Sequence, residues 1–129
     1  EAVWLVSLPA DAAPEAAALV AASRGRFAAL LLERDEASLT VADSVWARSP
    51  LRPRARAEAG PWRVLTFDLD LDLDVVGYLA PAAARLAEAG VSIVPHCGFL
   101  KDHLLVREAD LERARAALEG WIAACGSGS

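Results

Sequence analysis

Apolar residues recur along the chain in two rhythms, and the change from one rhythm to the other marks the elements. The run at residues 3–8 is apolar and stops at Pro9, which predicts a short strand. The alanine-rich stretch 14–22 lies behind Asp11 and predicts a helix. After a break at Gly25, residues 27–32 form a second apolar run and the polar residues 33–36 form a turn. Leu39, Val41 and Val45 then nearly alternate through residues 38–46, so these two runs predict a hairpin. Residues 47–60 carry two prolines and four arginines with neither period and predict a boundary.

From Trp62 the alternation becomes strict. Val64, Thr66, Asp68, Asp70 and Asp72 share one parity, while Arg63, Leu65, Phe67, Leu69, Leu71 and Leu73 share the other, which predicts a strand with one wet and one buried face. A calcium ladder along the aspartates is disfavoured, because side chains two apart on a strand lie about 7 Å from each other and no loop has EF-hand spacing. Leu79, Ala83, Leu86 and Ala87 then fall at helical spacing, with Gly90 as C-cap. Pro81 would break a helix begun at Asp74, so the first turn is placed near Tyr78 and residues 74–77 form a loop. Residues 91–95 predict a strand, 98–102 its turn and 103–106 the return strand, with Pro95 marking a bulge or a sheet edge. Leu111, Ala114, Leu118, Trp121, Ile122 and Cys125 form one stripe on a closing helix capped by Asp110. The second half thus reads strand, helix, strand, strand, helix, and the whole is α+β with helices covering sheets in the split βαβ manner.

Composition narrows the function classes. The 129 residues accommodate one ordinary domain or two small modules, and 55% apolar content fits a compact fold rather than a disordered one. A net charge of −5 argues against nucleic acid as a partner, and the cluster Arg48, Arg52, Arg54 and Arg56 reads as a solvated linker. No apolar stretch reaches the length of a membrane span, and no leader pattern opens the chain, so the protein reads as soluble and cytoplasmic, with no membrane partner. Cys97 and Cys125 are too few for a disulfide framework and read as free thiols. The absence of methionine, with Glu1 first and Gly-Ser-Gly-Ser last, reads as trimmed or engineered ends, and residues 126–129 are expected to be a tail. The four tryptophans read mainly as packing residues, with Trp46 expected to be the most exposed. Signatures for dinucleotides, phosphates and common hydrolases are absent, and no cofactor is expected.

A resemblance rests on four runs: Trp62-Arg63-Val64-Leu65; Val76-Gly77-Tyr78-Leu79-Ala80; Leu86-Ala87-Glu88-Ala89-Gly90-Val91-Ser92-Ile93; and Asp102-His103-Leu104-Leu105-Val106-Arg107-Glu108-Ala109-Asp110-Leu111. Together they resemble the second ACT module of small bacterial tandem-ACT proteins, relatives of the CASTOR-type arginine sensors. The first half is similar more weakly, through Glu36-Ala37-Ser38-Leu39-Thr40-Val41. The resemblance implies tandem ferredoxin-like βαββαβ modules, at residues 1–58 and 59–125, with antiparallel sheets, helices on one face, and a homodimer. It also implies a regulatory protein, not an enzyme, that holds an amino-acid-like ligand where the loop before a module's first helix meets a strand of its neighbour.

Elementary physics favours the same place. Unpaired amides at a helix start attract a carboxylate, so the loop Asp74, Val75, Val76, Gly77 and Tyr78 is the expected cradle, with Gly77 allowing close approach. Asp102, at the family's aspartate position, would take the ligand's amino group. His96, Cys97, Gly98 and Phe99 complete the expected lining. Here the chain departs from its relatives, which carry a hydroxyl-rich run where this one reads Cys97, Gly98, Phe99, Leu100, Lys101 and Asp102 after Pro95 and His96.

Those residues also support rival chemistry. His96, Cys97, Asp102 and His103 are groups that ligate metals or run thiol reactions. His96 and Cys97 point to opposite faces of a strand, so a Cys97 and His103 pair across the hairpin is the more plausible arrangement. The remaining alternative is a dimerisation module with no ligand.

Overall fold

The structure is a computed structural model that describes residues 1–67 and 79–127, with side chains through residue 120. It divides into two compact units, residues 1–62 and 63–129.

In the first unit, strand β1 (Val3–Leu8) leads through a 3-10 turn into helix α1 (Ala13–Ala22), whose early Pro14 sits where a missing N–H costs nothing. Strand β2 (Ala29–Leu32) and strand β3 (Ala37–Ala42) form the expected hairpin, with Leu30 opposite Leu39. Strand β3 lies antiparallel to β1, with Val6 opposite Leu39 and Leu8 opposite Ala37. On β1's other side runs the start of strand β4 (Ala57–Phe67), so the order is β2-β3-β1-β4. Val6, Leu8, Ala37, Leu39 and Val41 share one face, and α1 covers it with Ala12, Ala16 and Leu19 nearby, forming the core of this unit.

Two local expectations change here. The strand expected through residue 46 ends at Ala42, and Asp43–Ala47 is a short helix, α2. The cause is non-local: the Asp43 amide donates to the Ala2 carbonyl at 2.8 Å, and the Ser44 amide donates to Glu1 Oε2 at 3.0 Å. This turn carries Trp46 into the core, where it is 3% exposed, rather than to the surface. Its indole N–H donates to Glu58 Oε1 at 2.6 Å. The second change concerns residues 47–60, expected to be a boundary without structure. Strand β4 begins inside them, at Ala57, because β1 supplies a ladder that pairs Ser7 with Ala57 and Val6 with Glu58. Two of the arginines there are tied down: Arg54 pairs with Asp11, and Arg56 donates to the Asp35 carbonyl at 2.9 Å.

Strand β4 carries a bulge. Between the pairs Val3–Trp62 and Leu5–Ala59 it holds one residue more than β1, at the cis Gly60–Pro61 peptide.

The second unit takes up β4 beside β6 and β5, in the order β4-β6-β5. Helix α3 (Leu79–Glu88) ends as expected at Gly90, whose φ of +75° lets the Val91 amide reach back to the Leu86 carbonyl and the Gly90 amide to Ala87. Strands β5 (Ile93–Cys97) and β6 (Asp102–Arg107) form the hairpin, and helix α4 (Leu111–Ser127) closes the unit, running into the residues expected to be a tail. Asp110 lies in the 3-10 turn before α4, and its carboxylate receives Arg113 at 2.7 Å. Leu86, Leu104, Val106, Ala114 and Leu118 form this unit's own core, with Leu65, Phe67 and Ile93 against it. Both helices thus lie on the face that Leu104 and Val106 present.

Candidate functional site

The expected site falls on two segments, and the structure describes one of them. Asp74, Val75, Val76, Gly77 and Tyr78 lie outside the described residues; α3 is described from Leu79.

The other segment is the β5–β6 hairpin. Its turn is closed by the Gly98 amide donating to the Lys101 carbonyl at 2.9 Å. A side chain at position 98 would bring its Cβ to 3.2 Å from that carbonyl, so this corner favours glycine on space alone. The closure sets the register: Cys97 opposite Asp102, His96 opposite His103, Pro95 opposite Leu104. The Cys97 and His103 pair expected from the sequence is therefore not formed. It is off by one residue, and one residue on a strand changes the face. Cys97 and Asp102 share the side of the sheet that carries Leu104 and Val106. His96 and His103 share the other. Phe99 and Leu100 stand at the tip, 76% and 77% exposed.

Electrostatics separate the two pairs further. Partial burial pushes the Cys97 thiol up, and a hydrogen bond to Asp102 and its negative charge push the same way. The group is thus a thiol, not a thiolate, at neutral pH, the opposite of what a nucleophilic cysteine needs. Partial burial holds both imidazoles below their ordinary value of 6.5, and His96 adds repulsion at His103. The His103 ring is fixed by strand β4: its Nδ1 lies 3.0 Å from Thr66 Oγ1. The sequence pattern places Thr66 on the wet parity of its strand without linking it to a histidine, a link that only the pairing of β4 with β6 makes.

A second concavity belongs to the first unit and has no counterpart among the expected sites. About 230 Å³ in volume, it is lined by Leu5, Ser7, Ser38 and Ala57 between Glu36 and Glu58. Ser7 Oγ donates to Glu36 Oε2 at 2.5 Å. The small side chains here leave the space, and serine and alanine carry no periodic signal by which the sequence could announce it.

Strand, helix, strand, strand, helix, on antiparallel strands with the helices on one face, is the ferredoxin-like arrangement of ACT modules. Residues 59–120 match the family model of the ACT domain. The fold is shared with solved structures over nearly the whole chain. Protein Atu0741 of Agrobacterium tumefaciens is 26% identical, with a TM-score of 0.73 over 92% of this chain and 81% of that one. A structure of aspartokinase alpha and beta subunits is 20% identical, with a TM-score of 0.69 over 92% and 90%. The ligand-free regulatory subunit of aspartate kinase from Thermus thermophilus is 12% identical, with a TM-score of 0.63 over 92% and 90%. No curated protein matches the chain. Among the described residues no helix is long and apolar enough to cross a membrane.

Proposed function

We propose that this chain is a regulatory protein that binds a small amino-acid-like molecule through its ACT domain and makes no product. The observation that carries the reading is the ACT match of residues 59–120, laid on a strand-helix-strand-strand-helix unit that puts Asp102 at the first position of β6. There a half-buried carboxylate stands beside a tight turn, suited to an α-amino group. Residues 74–78, expected from the sequence as a cradle, would take the carboxylate end of the same zwitterion. Regulation is also the role printed for the aspartate kinase subunit of this fold. The sequence runs quoted above tie the chain more narrowly to tandem-ACT proteins related to the CASTOR-type sensors, and with them to a cytoplasmic homodimer holding its ligand between modules or subunits.

The lining favours a ligand with an apolar side chain. Phe99 and Leu100 replace the hydroxyls of the relatives and are exposed, so they have apolar surface to cover. Thiol catalysis through Cys97 is disfavoured by its raised pKa.

The test is a thermal-shift screen of the purified protein against the twenty amino acids, because a ligand that binds only the folded state raises Tm. A rise with one apolar amino acid that disappears in Asp102→Ala establishes the reading. No rise with any of them leaves an assembly module without a ligand and sinks it.

A further inference from the structure

The hairpin brings together the only two histidines in the chain. Directly opposed residues on antiparallel strands share a face, with Cβ atoms about 4.5–5.5 Å apart. Two imidazoles at that spacing reach a common point, since metal–nitrogen bonds run about 2.0–2.1 Å. We propose that His96 and His103 together bind a divalent transition-metal ion, zinc, nickel or copper, on the sheet face opposite Cys97.

Two observations carry this. The first is the register itself, which a one-residue slip would destroy by sending one imidazole through the sheet. The second is Thr66, which engages Nδ1 of His103 at 3.0 Å, so that Nε2 is the metal-binding nitrogen. Metal-bound histidines are commonly oriented in this way through their other nitrogen, and the hydrogen bond orients the ring before the ion arrives.

Imidazole suits zinc, copper and nickel, whereas magnesium and calcium prefer oxygen, and that sets the class of ion. Among the described residues no third histidine, cysteine or acidic side chain completes a cluster. Two protein ligands leave further coordination positions for water or for a donor from another molecule. The inference is independent of the amino-acid reading and stands or falls without it.

The experiment uses the tag-free full chain. Calorimetric titration with zinc chloride and with nickel chloride is expected to show one ion per chain. Because the chain has two histidines, proton NMR gives two sets of imidazole signals, and paramagnetic nickel should broaden both together. His96→Gln and His103→Gln should each weaken uptake by more than the about tenfold that loss of an outer-shell partner costs, while Cys97→Ser leaves it unchanged. No uptake by the unmodified chain, broadening of one imidazole or neither, or loss of uptake in Cys97→Ser overturns the proposal. The NMR outcome needs no variant, so it decides the matter even where a glutamine substitution impairs folding.

Discussion

The indole of Trp4 lies against Gly60, so close that a Cβ at position 60 would stand 2.8 Å from Cδ2 and 2.9 Å from Cε3. The glycine also has a φ of +157°, at the border of the region side chains avoid. Trp4 is itself fixed, by an indole N–H that donates to Asp43 Oδ1 at 2.6 Å. Gly60→Ala must therefore displace a held aromatic ring at the bulge of β4. We expect a loss of about 1–3 kcal/mol, the usual cost of overpacking, measurable by urea denaturation. Gly25→Ala, where the new Cβ would meet no atom within 4 Å, is strained by φ alone and should cost less.

Trp46 and Glu58 make the second prediction. The indole is buried against the core of the first unit, and its N–H has the Glu58 carboxylate as acceptor. Glu58→Leu removes the acceptor and strands a buried donor, at a cost of about 1–3 kcal/mol. Glu58→Gln keeps an amide oxygen in place and should recover most of the loss. Equal destabilisation by both variants would show that the side chain matters for something other than this bond.

The histidine pair makes stability depend on pH. Both rings titrate lower in the folded state than the ordinary 6.5 of the unfolded chain, so the unfolded state binds more protons across the interval between the two. Their contribution is present in full above about 6.5 and is lost as pH falls from there towards the folded values. Asp102 moderates this at His103, whereas Lys101 and His96 add to it. Tm should fall between pH 7.5 and pH 5.5, and a His96→Gln, His103→Gln double variant should show a shallower fall. A slope unchanged in the double variant would assign the loss to other groups.

Cys97 is predicted to alkylate slowly. It is exposed, so access does not limit the reaction with iodoacetamide; the raised pKa does. Asp102→Asn removes the negative charge beside the thiol and should speed alkylation near pH 7. No acceleration would mean that burial alone sets the thiol's pKa.

The second unit was legible because its signals are local. Strict alternation through Phe67, the helical spacing ahead of Gly90 and the stripe from Leu111 each sit inside one element, and the described part of each appears where it was expected, while the rest of the alternating run, with Asp68, Asp70 and Asp72, lies outside the described residues. What escaped was imposed from a distance. The pattern of Leu39, Val41 and Val45 continues past Ala42, yet the backbone turns there because Glu1 and Ala2 meet Asp43 and Ser44. Ala57, Glu58 and Ala59 have no strand character of their own and become one because β1 offers a ladder. At the hairpin the residue types are legible but not their partners, since His103 meets His96 or Cys97 according to a single residue of turn length. Thr66 joins them through a strand 37 residues away.

Pro95, which in the sequence marks a bulge or sheet edge, stands in the middle of β5, a strand with a ladder on one side only among the described residues. A strand so placed invites addition by any extended chain that can match its donors and acceptors. Proline has no N–H to offer, and its ring occupies the space a neighbour's backbone would need. The rim of β5 is thereby a poor template for fibrous growth, and replacing Pro95 with valine would restore the missing donor at the cost of solubility.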